Sequence, residues 1–157
     1  MGDVMSERRE FKGKNLLEFP EEYVVIDLET TGLDPQFDEI IEFGAIKISN
    51  NQIVERFSEL SQPQARIWID EEDLGDYDYY FVEDGEYFTF VDPFITSLTG
   101  ITNTMLKDAR KEVDVLKDFL NFVGDSIVIG HNVNFDVNFL YDVTKYHGFS
   151  LFKNNFV

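Results

Sequence analysis

From Tyr23 to Leu28 the chain reads Tyr-Val-Val-Ile-Asp-Leu, apolar at every position but one and rich in β-branched residues. A run this short and this apolar predicts a strand buried on both faces, and such a strand needs layers to cover it. The next segments supply them. Glu39–Ser49 and Gln52–Leu60 are strand-like and are separated by Asn50-Asn51, a good hairpin turn. Further on the period changes. Asn103–Ala109 is a short amphipathic piece, and Glu112–Val123 places Val113, Leu116, Leu120 and Val123 on one helical stripe that Gly124 stops. Ser126–Gly130 is a short apolar strand, and Asn134–Tyr146 returns to helical spacing through Phe135, Phe139, Leu140, Val143 and Tyr146. The order predicts a mixed α/β layer architecture. A chain of 157 residues suits one domain. Residues 1–20 read as an arm closed by Pro20, and residues 21–157 as the domain.

The charge is uneven. Thirty-one acids against thirteen bases give −18, yet from Ile67 to Ile101 there are ten acids and no Lys or Arg. Residues 66–92 therefore read as an acidic insert. Within it, aromatic-rich segments flank Glu83-Asp84-Gly85-Glu86, which predicts a β-hairpin over 77–91 with Asp84-Gly85 at its tip. Its aromatics should pack on the domain or on a second copy of the chain, a possible route to oligomers. The overall charge repels a polyanion and argues against non-specific duplex binding through a basic surface. With no Cys, a disulfide framework, a Cys-ligated zinc site and thiol catalysis are excluded. No apolar run approaches the roughly 18 residues that span a bilayer, and the polar start is not a secretory signal. Gly2–Ser6 fits the loose myristoylation pattern, which is too short and degenerate to carry lipidation. The expectation is a soluble, cytoplasmic protein with no membrane partner.

Three carboxylates stand out. Asp27 and Glu29 lie two residues apart on the first strand, hence on one face, with Cα atoms roughly 7 Å apart. At an effective dielectric of 20 they repel by about 2 kcal/mol. They are either solvated rim residues or groups that need a cation between them. Asp136 shares a helix face with Phe139, Leu140 and Val143, so it is either an N-terminal capping acid or an inward acid needing a partner. The first-turn dipole is worth under about 1 kcal/mol, too little for a buried charge. His131 lies in a strand-to-helix turn, where α/β sites gather. His147 reads as a helix C-terminal residue favoured by the dipole. No P-loop, G-x-G-x-x-G, G-x-S-x-G or H-E-x-x-H occurs. Oxygen ligands alone select Mg²⁺ or Mn²⁺ over zinc, and phosphoryl or nucleotidyl transfer is the main chemistry of such sites.

DLETTG at Asp27–Gly32, LTGIT at Leu98–Thr102 and GHNVNFD at Gly130–Asp136 resemble, in order, the landmarks of the DEDD-type, DnaQ-like 3′–5′ exonucleases. That group includes the epsilon proofreading subunit of DNA polymerase III and the exonuclease domain of PolC-type polymerases. EIIEFGAIKI at Glu39–Ile48 is similar to the family's second strand. The resemblance implies a ribonuclease H-like fold, a mixed central sheet flanked by helices. It implies that Asp27, Glu29 and Asp136 are catalytic metal ligands for Mg²⁺ or Mn²⁺, two ions in the complete site. It puts Thr30, Thr31 and Gly32 against the terminal nucleotide, Thr99 on the wall of the terminal-base pocket and Asn132 near the scissile phosphate. The implied reaction is hydrolysis of terminal phosphodiesters on single-stranded or frayed DNA or RNA 3′ ends, in replication proofreading or repair, beside a DNA polymerase or another replication partner.

The family's third motif, H-x-A-x-x-D, which carries the general-base histidine and a fourth carboxylate, does not occur in these 157 residues. Weak or absent activity is expected of them, and a natural parent continuing past Val157 is expected to supply the motif. The alternative is a catalytically inactive exonuclease-like domain that binds nucleic acid or a protein partner.

Overall fold

The computed structural model describes residues 9–16 and 18–157, so the Gly2–Ser6 pattern and the first part of the arm lie outside the described residues. In chain order the elements are β1 (Glu22–Thr30), β2 (Ile40–Ser49), β3 (Gln52–Gln62), β4 (Ile67–Ile69), a 3-10 helix (Glu71–Asp76), β5 (Phe81–Glu83) and β6 (Glu86–Thr89). Then come α1 (Pro93–Thr99), α2 (Asn103–Lys107), β7 (Arg110–Lys111), α3 (Glu112–Val123), β8 (Val128–Ile129) and α4 (Val133–Tyr146). The main sheet has the order β7-β3-β2-β1-β8. Its three long strands form an antiparallel meander, and the two short outer strands join in parallel. Asn50 and Asn51 both take positive φ, 51° and 63°, the left-handed pair whose twist matches the flanking strands.

One face of this sheet is fully covered. Val24, Ile26 and Leu28 of β1 with Phe43 and Ala45 of β2 pack against α3, α4, Phe152 and Phe156. Phe119 sits at the centre, 5.2 Å from the Phe43 ring and 5.9 Å from that of Phe57. The inward stripe of α3 is therefore Val115, Leu116, Phe119 and Val123, while Val113 and Leu120 are only half-buried. Burying the Phe119 ring removes more apolar area than burying Leu120, so the helix turns toward the ring.

The other face of β1 is open where two-sided burial was expected. Tyr23, Val25 and Glu29 are half-buried there and Asp27 is exposed. Cover on that side comes from a second cluster seated further along. β2 bulges beside Glu29 and Thr30, which pair with Glu42 and Ile40, and the extra residue, Ile41, packs with Phe90, Val91, Ile95, Ile101 and Leu106.

The acidic insert builds a small sheet of order β4-β6-β5, turned at Asp84 and Gly85 with φ of 51° and 79°. It contains the expected hairpin but has a third strand, β4, and β5 begins only at Phe81. Residues 77–80 are diverted because the Asp78 carboxylate accepts hydrogen bonds from the N–H groups of Asn103 and Thr104, at 3.2 and 2.7 Å, capping α2. Buried Asn103 in turn accepts from the N–H groups of Phe90 and Val91 and donates to the Val91 carbonyl, tying the small sheet to α2. Four of the acids ride on the 3-10 helix, which buries none of its residues.

The described part of the arm, from residue 9 on, lies along α4. Arg9 is buried and donates twice to Asp142, at 3.1 and 2.8 Å, and Lys12 donates to Asn134 and Asn138. Asn134, Asn138 and Asp142 are spaced by four and share one helix face. Asn15 bridges to Phe156, and a Cβ on Gly13 would fall 1.8 Å from the Asn154 carbonyl oxygen, so the crossing admits only glycine.

Candidate active site

β1 carries Asp27 and Glu29 on its open face, and the turn after it is held from within. Thr30 Oγ1 donates to the Gly32 carbonyl at 2.7 Å. Thr31 Oγ1 donates to Asp38 Oδ1 and accepts from the Glu39 N–H. Asp38 Oδ2 accepts the Asp34 N–H at 2.9 Å and crowds Gly32 so closely that a Cβ there would lie 2.4 Å from it. The Glu39 carboxylate takes the N–H groups of Gln64 and Ala65, at 2.7 and 2.9 Å, fixing this turn to the end of β3. The Thr-Thr-Gly segment is thus a rigid lip whose hydroxyls are already engaged.

α4 brings in the distant acid. Gly130 approaches β1 so tightly that a Cβ would sit 2.8 Å from the Ile26 carbonyl, and Asn132 takes the left-handed conformation at the helix N-cap. The Asn132 side chain caps nothing. The chain reverses there and points Asp136 inward, where it is 4% exposed and meets the Leu28 N–H. Burial first, then Asp27, push the Asp136 carboxyl up to about 7, against the pull of the Leu28 hydrogen bond. Glu29 is raised by burial, by Asp27 and by Glu42. Glu42, its cross-strand neighbour on β2, is raised by burial and by Asp27. The structure therefore gathers Asp27, Glu29 and Asp136 around the end of β1 and adds Glu42. No basic group contributes to any of these three shifts. Among the described residues no three acidic or histidine side chains converge as a ready-made cation cage.

Thr99 lies at the end of α1, next to exposed Leu98, with its hydroxyl donating to the Ile95 carbonyl and accepting from the Ile101 N–H. His131 is exposed in the turn before α4. His147 does terminate α4, but its Nε2 also meets buried Glu112 Oε1 at 2.8 Å, a contact that the helix-end reading did not include.

The exonuclease family model matches residues 24–72 and 65–156, across both the strand that carries Asp27 and the helix that carries Asp136. The chain belongs to the exonuclease family. This exonuclease domain is 41% identical over 118 residues to the PolC-type DNA polymerase III of Thermotoga maritima, and 36% identical over 120 residues to that of Bacillus subtilis. The matches cover 75% and 76% of the domain but only 7% of each polymerase, so the chain spans a small part of the length of these relatives. Its fold is like that of exonuclease I. A structure of that enzyme with the inhibitor BCBP superposes at a TM-score of 0.60 with 18% identity, over 85% of this chain and 26% of that one. The metal-free complex of E. coli exonuclease I with ssDNA gives 0.60 and 18%, over 83% and 25%. The ribonuclease H-like, mixed α/β architecture expected from the motifs is the one observed.

Sequence reasoning missed Glu42. Its signal was available, since in Glu-Ile-Ile-Glu-Phe-Gly the second Glu interrupts an apolar strand, but a bulge cannot be counted from alternation alone.

Proposed function

We propose that this exonuclease domain removes nucleotides from the 3′ ends of single-stranded or frayed nucleic acid in a reaction that depends on Mg²⁺ or Mn²⁺. One observation carries the reading. Asp136, 107 positions beyond Glu29 in the chain, is buried within electrostatic reach of Asp27 and Glu29. A divalent cation fits this donor set, because the groups are all carboxylates and repel one another. Asp27, Glu29 and Asp136 would hold it. When bound, such ions stabilise the attacking and leaving oxygens of an in-line phosphoryl displacement.

The chain's own residues do the rest. The rigid Thr30–Gly32 lip presents backbone to a terminal nucleotide, and Thr99 with Leu98 offers a wall for its base. The uncapped amide of Asn132 stands at the start of α4, where an N-terminus favours a phosphate. The setting implied is cytoplasmic DNA replication or repair alongside a polymerase. The 157 residues contain no H-x-A-x-x-D, so they supply no general-base histidine, and such a base typically contributes about 10²–10⁴-fold. Turnover by this chain should be slow.

Calorimetric titration of Mn²⁺ into wild type and Asp27→Ala tests the site. Binding of one ion by wild type, weakened at least tenfold in the variant, is expected; equal heats would overturn the assignment. A 5′-labelled single strand in Mn²⁺ tests the reaction. Slow laddering from the 3′ end, abolished by Asp136→Ala, is the expected pattern.

A further inference from the structure

Glu42 lies directly opposite Glu29 in the β1–β2 register, and Gly44 lies opposite Asp27. Opposed residues on one sheet face have Cβ atoms roughly 4.5–5.5 Å apart, and like charges so placed are destabilising. Glu42 is half-buried, and its carboxylate enters no hydrogen bond or ion pair among the described residues. A neutral side chain would serve the fold better at this position. The bulge just before Glu42 turns Ile41 into the second apolar cluster, and from Glu42 onward the β2 residues pair in step with β1.

We propose that Glu42 is a positioning residue of the active site, a fourth carboxylate whose charge holds a divalent cation at the Asp27–Glu29 end of β1. The inference rests on the metal-site reading above and deepens it. The repulsion of Glu42 with Glu29 and Asp27 is a cost that a bound cation would relieve.

The test uses two readouts that a purely structural glutamate would move together. Thermal unfolding without metal and Mn²⁺ calorimetry are measured on wild type, Glu42→Gln, Glu42→Asp and Asp27→Ala. For Glu42→Gln the metal-free melting temperature should rise by about 1–4 °C as the like-charge pair is removed. In the same variant Mn²⁺ affinity should fall about five- to twentyfold. Glu42→Asp, which keeps the charge, should recover most of the affinity. If Glu42→Gln binds Mn²⁺ like wild type while Asp27→Ala does not, or if its metal-free melting temperature falls, the role of Glu42 is overturned and the site stands. If wild type and Asp27→Ala take up Mn²⁺ identically, the site itself fails and Glu42 with it.

Discussion

Asp136 is the residue on which stability and function pull in opposite directions. Its carboxyl is pushed from 3.8 to about 7 by burial and by Asp27, so the folded protein prefers it protonated. A group with a raised folded pKa contributes most below its unfolded value, and that contribution is lost as pH rises through the folded one. Between about pH 4 and 7 the metal-free domain should therefore lose stability through this residue, on the order of 4 kcal/mol at 1.36 kcal/mol per unit. Asp136→Asn should be more stable than wild type at pH 8 and no more stable at pH 3.5. Paired denaturant melts at the two values check this, and an equal difference at both would remove the link to ionisation. Asp136 was legible as an anomaly, an acid on an apolar face. The environment that decides its ionisation was not, because Leu28 and Asp27 lie over a hundred residues away in the chain.

At the scale of elements, the arm and α4 behave as one unit. Arg9 makes two hydrogen bonds to Asp142, and the Arg9 side chain is 4% exposed. Removing one partner leaves a charge without its counterpart and should cost about 2–3 kcal/mol. Arg9→Ala should lower the melting temperature by roughly 5–10 °C for a domain of this size. Loss of hydrogen-exchange protection should concentrate in α4, and uniform loss would mean that the arm is no local clasp. The arm looked structureless in the sequence because it has no periodicity; its order comes from single polar contacts with a helix near the other end of the chain. The Asn50-Asn51 and Asp84-Gly85 turns were legible for the opposite reason, since positive φ is written in the residue type itself. The short strands β4 and β7 carry too little pattern to be read without their partners. For the same reason β8 was expected over Ser126–Gly130 and is seen only at Val128–Ile129.

For the whole molecule, the acids are distributed with a purpose that the net charge conceals. Those of the 3-10 helix are solvated, whereas those around β1 are drawn together against their own repulsion. The end segments show a different kind of order. Leu16 donates to the Phe156 carbonyl, Phe156 donates back to that of Lys14, and Val157 donates to Val128 beside β1. Residues 14–16 and 156–157 thus meet at one edge of the main sheet. A fold whose two distant segments are clasped side by side does not depend on a single covalent order. It can be cut and rejoined. Linking residue 157 to residue 9 through a short glycine-serine spacer, and reopening the chain between Asp84 and Gly85, should give a permuted protein with the same circular dichroism and a cooperative melt. Loss of the cooperative melt would mean that the paired ends form only after the original order of synthesis has shaped the sheet.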